Sequence, residues 1–188
     1  MTNKTTNLPM FPLDIFLLPG GITRLRIFEA RYLKMVGIAS TLGGFIISSD
    51  KQVEANLSRW GSWVEIINFD QGDDGVLEID VKCKSLVELT VTEADIDNLQ
   101  YADINQIHHW SEKRSTTQLM LLSDSLISLF ESNHLLNNLY HHKLTDNPYW
   151  VVSRWLELLP IPFEVKKDFI FNSSYIEAKK LVNSILIK

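Results

Sequence analysis

Near Trp110 the hydrophobic period of the chain changes. Before that point apolar residues recur at every second position; after it they recur at every third or fourth. A sheet buries alternate residues and a helix buries a stripe, so this order predicts strands first and helices after, an α+β chain. The alternation is plainest where Val76, Leu77, Ile79, Val81 and Cys83 stand against Glu78, Asp80, Lys82 and Lys84. A turn cluster, Gln71-Gly72-Asp73-Asp74-Gly75, separates it from an apolar, β-prone run over residues 62 to 69, and the two read as a meander. The alternation slips phase near Ser85 and Leu86, which predicts a bend or bulge there. Residues 101 to 107 alternate once more and read as a last strand.

Upstream, the segment MFPLDIFLLPGG over residues 10 to 21 is apolar but broken by Pro12, Asp14 and Pro19. Only Lys4 precedes it and no small-residue cleavage site follows, so it lacks the parts of a signal peptide. It is also shorter than the about 20 apolar residues that cross a bilayer as a helix. Leu13, Ile15 and Leu17 alternate with Asp14 and Phe16, which predicts a first strand, with Pro12 at an edge or bulge. Pro19-Gly20-Gly21 supplies a turn, and Ile22, Leu25 and Ile27 suggest a second extended piece. Tyr32, Met35, Val36 and Ala39 then predict a helix over residues 28 to 41, with Glu29 in its first turn and Gly43-Gly44 as its stop. Phe45-Ile46-Ile47-Ser48 reads as a short buried strand.

Past Trp110, the spacing of Leu119, Leu122, Leu126, Leu129 and Phe130 marks an amphipathic helix. Asn147 and Pro148 read as the N-cap and first residue of another. Its apolar side carries Val151, Val152, Trp155, Leu156, Leu158 and Leu159, and Pro160 and Pro162 stop it. Ser174 and Glu177 have the spacing of a capping box that opens a last helix through Leu181 and Ile185. The expected organisation is a β-rich part over residues 7–110 with one inserted helix, and a helical part over 111–188 packed on it.

Charge narrows the partners. Formal net charge is -5 and pI is about 5.5. The basic spots, Lys82/Lys84, Lys113/Arg114 and Lys166/Lys167, are small and mixed with acids, which argues against nucleic acid. Apolar residues at 45% argue against wholesale disorder. Cys83 is the single cysteine, so no intrachain disulfide can form, which fits a reducing compartment. A soluble, cytoplasmic protein with no membrane partner is expected.

Motifs for bond-making chemistry are missing from the sequence. There is no G-x-x-x-x-G-K-[ST] phosphate loop and no G-x-S-x-G elbow. His108-His109 and His141-His142 are adjacent pairs, which diverge on a strand or a helix alike. His134 and His141 could share a helix face, but zinc-site spacing is lacking. Asp70, Asp73, Asp74 and Glu78 do not follow the calcium-loop order and read as a polar turn. Cys83 falls on the apolar side of its strand and reads as a packed thiol rather than a nucleophile. The five tryptophans read as core or interface rings. No catalytic residue, metal or cofactor is expected.

Several elements together carry a resemblance. Leu8-Pro9-Met10-Phe11-Pro12-Leu13, then Leu18-Pro19-Gly20, then Ile27-Phe28-Glu29-Ala30-Arg31-Tyr32 resembles the opening of the Lon protease N-terminal (substrate-binding) domain family. Ile66-Ile67-Asn68-Phe69-Asp70-Gln71 with Asp74-Gly75 and Leu77-Glu78-Ile79 looks like that family's hairpin, and Trp155-Leu156-Glu157-Leu158-Leu159-Pro160 like its helical W-x-L-x-x-L-P stretch. The family usually has a glycine where Lys82-Cys83-Lys84 stands, and a more basic stretch after it. The resemblance implies a PUA-like β-barrel followed by a helical part, without the ATPase and serine–lysine protease modules, as a stand-alone binding module. It implies contact with unfolded or apolar polypeptide segments or a protein partner, for which Phe11, Phe16, Leu18 and Phe28 are the candidate residues. The alternative is an RNA-binding PUA-like module. Glu29 and Arg31 are expected to be structural.

Overall fold

The computed structural model describes residues 6–49, 59–110, 119–170 and 174–187. The chain divides into two compact units, Met1–Ile107 and His108–Lys188. The first contains β1 (Thr6–Pro12), β2 (Ile22–Ile27), α1 (Ala30–Leu42), β3 (Phe45–Ser48), β4 (Arg59–Gln71), β5 (Leu77–Val91) and β6 (Tyr101–Ile107). The sheet order is β2-β5-β4-β3-β1-β6, and β6 pairs again with β5. Five strands therefore close into a ring, a small barrel, and β2 lies outside it. The length of β5 makes both arrangements possible. Its residues 77–82 pair with β2, and its residues 86–91 pair with β6.

Lys84 marks the change of partner. Trp63 pairs with Ser85 and Val64 with Cys83, so Lys84 is an extra residue, a bulge where the phase of the alternation slips. The bulge moves the following side chains to the other face. Ile79, Val81 and Cys83 pack with Val64, Phe45, Ile47 and the α1 residues Tyr32, Met35, Val36 and Ala39. Val87 and Leu89 instead join Leu8, Met10, Ile46, Ala102 and Ile104 in a second core. Strand β3 feeds both cores from neighbouring positions, which is why its sequence is apolar without alternation.

The same bulge finishes α1. Lys84 Nζ donates to the Gly43 carbonyl at 3.1 Å, as does Trp63 Nε1 at 3.1 Å, and the ammonium lies 4.1 Å from the Trp63 ring centre. A cation there complements the negative end of the helix. Gly44 follows with φ +123, and a Cβ on it would lie 1.9 Å from the Val64 carbonyl oxygen. Only glycine fits this junction.

Two local expectations need correction in this unit. The first strand ends at Pro12, and residues 13–18 are not strand. Leu13 still donates to the Ser48 carbonyl at 3.0 Å, and Leu17 and Leu18 are buried, so burial of an irregular segment produced the strand-like pattern. The prolines stand where β1 changes or loses a partner: Pro9 ends the pairing with β6, and Pro12 ends the pairing with β3. Glu29 is the N-cap residue of α1 rather than part of its first turn, and its side chain makes no cap bond. It accepts from Arg31 Nε at 2.9 Å instead.

The second unit holds α2 (Met120–Ser132), α3 (His134–Leu139), α4 (Pro148–Leu158), α5 (Phe163–Lys166), a 3-10 turn (Lys167–Ile170) and α6 (Tyr175–Leu186). Asn147 caps α4 as expected: its Oδ1 accepts from the amides of Tyr149 and Trp150 at 3.0 and 3.1 Å. The capping box at α6 does not form. Ser174 makes no cap bond, and its hydroxyl accepts from Trp110 Nε1 at 3.1 Å. In the core, Phe130 packs against Tyr140 and Trp150 with ring centres 5.1 and 6.2 Å away, and Trp155 Nε1 donates to the Leu122 carbonyl at 2.9 Å. Arg154 is fully buried and donates two bonds of 2.7 Å to Glu157. Lys166 Nζ donates to the Glu157 carbonyl at 3.1 Å.

Candidate functional site

The four residues expected to contact a partner are scattered among different environments. Leu18 is fully buried, and Phe16 is buried edge-on against Trp60 at 5.9 Å. Phe11 is half-buried, edge-on to Tyr32 at 4.7 Å and Phe45 at 6.3 Å. Phe28 is 72% exposed. Of these four, Phe28 alone has most of its ring at the surface. The apolar run that drew attention to the first three is explained by core packing.

A different surface stands out in the first unit. Strand β4 pairs with β3 only through Ser62, Trp63 and Val64. Beyond Val64 no described residue pairs with β4 on that side, while β5 pairs with it on the other as far as Gln71. Residues 65–71 therefore form an open strand edge, and all of 67–71 are exposed. Ile67 is 45% exposed and Phe69 is 56% exposed. The register skips Ile67, since Ile66 pairs with Val81 and Asn68 with Asp80. This second bulge sets the faces of the strand beyond it. Phe69 pairs with Ile79 and shares the apolar face, while Asn68 and Asp70 lie on the other face beside Asp80 and Glu78.

That second face is charged. Arg24 Nε and Nη2 donate to Asp80 at 2.6 and 3.0 Å, and Nη1 donates to Glu78 at 3.2 Å and Asp70 at 3.4 Å. Arg26 pairs with Asp74 and lies 3.6 Å from Glu78. Asn68 Nδ2 donates to Asp80 at 3.1 Å. The hydrogen bond and charge of Asp80 hold the Arg24 guanidinium well above its ordinary pKa, and Arg26 with the Val76 amide holds the Asp74 carboxyl below the usual carboxylate range. Glu65 and Lys82 pair on this face as well, and Glu65, Asp70, Asp74, Glu78 and Asp80 outnumber Arg24, Arg26 and Lys82, so the face is net negative. An open edge offers backbone donors and acceptors, Phe69 offers apolar area, and the carboxylates offer charge. Such a set can hold an extended chain without any bond being made or broken.

Sequence reasoning passed over Ile67 and Phe69. The available signal was the run Ile66-Ile67-Asn68-Phe69, which carries one apolar residue too many for a strand with one covered face.

Several residues away from this surface have structural partners. Cys83 is buried, with its thiol 3.6 Å from the Ser85 carbonyl. Lys34 binds Asp95 at 2.8 Å and also Asp97, tying α1 to the segment before β6, and these bonds raise its pKa. His109 Nδ1 lies 2.8 Å from the Ile170 carbonyl, its ring stacks on Trp110 at 4.3 Å, and burial pushes its pKa down to about 4. Helix α3 ends at Leu139, so His134 and His141 do not share a helix face. Among the described residues, no group of three or more His, Cys, Asp or Glu could hold a metal ion. No helix among them is long and apolar enough to cross a membrane. Lys113 and Arg114 lie outside the described residues.

A family model described as the ATP-dependent protease La (LON) substrate-binding domain matches residues 7–188. Among solved structures, the chain is similar to a Lon N-terminal domain protein from Xanthomonas campestris, with 26% identity and a TM-score of 0.68 over 95% of this chain and 98% of that one. It is also similar to the N-terminal domain of the Mycobacterium avium complex Lon protease, with 11% identity and a TM-score of 0.62 over 95% and 96% of the two chains. At that identity the second likeness speaks to the fold alone. No match was found among curated proteins.

Proposed function

The chain belongs to the ATP-dependent protease La (LON) substrate-binding domain family, and from that premise we propose that it is a non-catalytic module that recognises polypeptide segments by contact alone. The observation that carries this reading is the open, partly apolar edge of β4 around Ile67 and Phe69, beside a five-strand ring that its own pairing closes. Exposed apolar side chains beside unpaired strand amides offer an unfolded segment both apolar contact and backbone hydrogen bonds. Phe28 adds a further exposed ring to the same unit. Phe16 and Leu18 are buried within the same unit, Phe16 against Trp60 of β4.

The test is site-specific photocrosslinking with a photoreactive residue at position 69 and, separately, at position 28. A reduced, carboxymethylated test protein is offered beside its native form. Capture of the unfolded form in preference to the native one is expected. Equal labelling of both forms, or of neither, overturns the reading, as does turnover of peptide or nucleotide by the pure protein. An RNA shift whose log affinity falls steeply with log salt would turn the assignment to nucleic acid.

A further inference from the structure

We infer that residues 65–71 of β4 take up an extended polypeptide in which apolar and basic residues alternate, as an added strand. This rests on the reading of the chain as a polypeptide-binding module and specifies what it selects.

The argument starts from the two faces of the strand. Phe69 lies on one, and Asn68 and Asp70 on the other, with Asp80 and Glu78 next to them across the ladder with β5. An added strand repeats the same alternation, because successive side chains point to opposite faces. Its residue beside Phe69 meets an aromatic ring that is 56% exposed, where an apolar side chain gains most. Its neighbours in sequence meet the face of Glu65, Asp70, Asp74, Glu78 and Asp80, which Arg24, Arg26 and Lys82 leave short of positive charge. Asp70 is the carboxylate on the open strand itself, with its side chain 54% exposed and its arginine contact at 3.4 Å. A lysine or arginine fits there and an acid is repelled.

The same charges oppose pairing of two copies of this chain edge to edge through β4. Residues 65–71 contain Glu65 and Asp70 and no cation, so pairing with themselves would bring acids together. The edge of β2 is a poorer dock, since Leu25 and Ile27 are committed to the core.

The experiment uses the whole chain and three fluorescent peptides of equal length and composition class: alternating Lys/Val, alternating Glu/Val, and the Lys/Val composition in two blocks. Anisotropy is expected to rank the alternating Lys/Val peptide first. Asp70→Lys is expected to weaken that peptide about fivefold and to raise the Glu/Val peptide, as cross-strand pair energies allow. N-methylation of every second amide tests the strand itself. Methylating the amides of one parity should abolish binding, and methylating those of the other should leave it, because an added strand uses one edge only. Equal loss for both parities, or no reversal with Asp70→Lys, overturns the inference. If the unfolded test protein still binds under those results, recognition of polypeptide stands and only the strand assignment falls. If neither unfolded protein nor any peptide binds, both fall. Concentration-dependent dimers lost on Asp70→Lys or Phe69→Ser would give the edge to a second copy and also overturn it.

Discussion

Substituting Glu157 tests how the helical unit is held together. Arg154 and Glu157 have side-chain exposures of 1% and 10% and share two bonds of 2.7 Å. The guanidinium also lies 5.4 Å from the Trp150 ring centre. Glu157→Leu removes both charge-assisted bonds from a fully buried guanidinium. Two bonds at about 1.5–3 kcal/mol each set the gross loss, and broken buried pairs cost about 3–5 kcal/mol, so a destabilisation of about 4 kcal/mol is expected. In a unit of this size that corresponds to a Tm drop of roughly 15 °C or more. Replacing both partners, Arg154→Met with Glu157→Leu, is expected to return stability to within about 1 kcal/mol of the parent, because desolvation of the two charges offsets their attraction. The assay is urea unfolding followed at 222 nm, with the two single substitutions and the double forming a cycle. Raising salt from about 0.1 to 1 M should leave the single-substitution cost nearly unchanged, since a buried pair is poorly screened. A cost under about 1 kcal/mol for Glu157→Leu, or a double substitution as costly as the sum of the singles, would refute this account.

Three further outcomes are expected. His109 has a folded pKa of about 4 against an ordinary 6.5, so the unfolded chain binds its proton first; stability is full above pH 6.5 and falls as pH drops toward 4. Denaturation at pH 7 and pH 5 should differ by about 2 kcal/mol from this group, a difference that His109→Gln removes. Gly44→Ala places a Cβ 1.9 Å from the Val64 carbonyl oxygen at φ +123 and should cost about 3 kcal/mol or more, read as a lowered urea midpoint with m unchanged. Leu18→Ala should lose about 3 kcal/mol, whereas Phe28→Ala should stay within about 0.5 kcal/mol, so thermal scans of the two separate scaffold from surface.

The α+β order was legible because one-face burial leaves a period in the sequence. The helices that bury a clear stripe, α1, α2 and α4, were legible for the same reason, and Asn147-Pro148 located a start through a cap that forms as expected, whereas α6 was placed through Leu181 and Ile185 although it buries Ala178 and Val182. α3 and α5 are too short to show a period, at 6 and 4 residues. Ser174 had the right spacing for a capping box, but Trp110 competes for its hydroxyl from 64 positions away. Likewise, β2 follows β1 in sequence yet pairs with β5, because pairing is settled by the cores that Leu25 and Ile27 reach. The surface was the least legible part. Phe16 and Leu18 were named as candidate contacts through the resemblance, and both are buried in an irregular segment whose alternation imitates a strand. Phe69 was passed over because the open edge beside it depends on β3 starting only at Phe45, opposite Val64.

Barrel closure has a consequence for synthesis. Asn7 Nδ2 donates to Asp103 Oδ1 at 2.8 Å across 96 positions, and β1 pairs with β6 from Thr6↔Ile104 to Pro9↔Tyr101. A ribosome therefore delivers the first strand long before its last neighbour exists. Until the codons for β6 have been read and their residues have cleared the exit tunnel, the nascent barrel keeps a seam unzipped along β1 and the far half of β5.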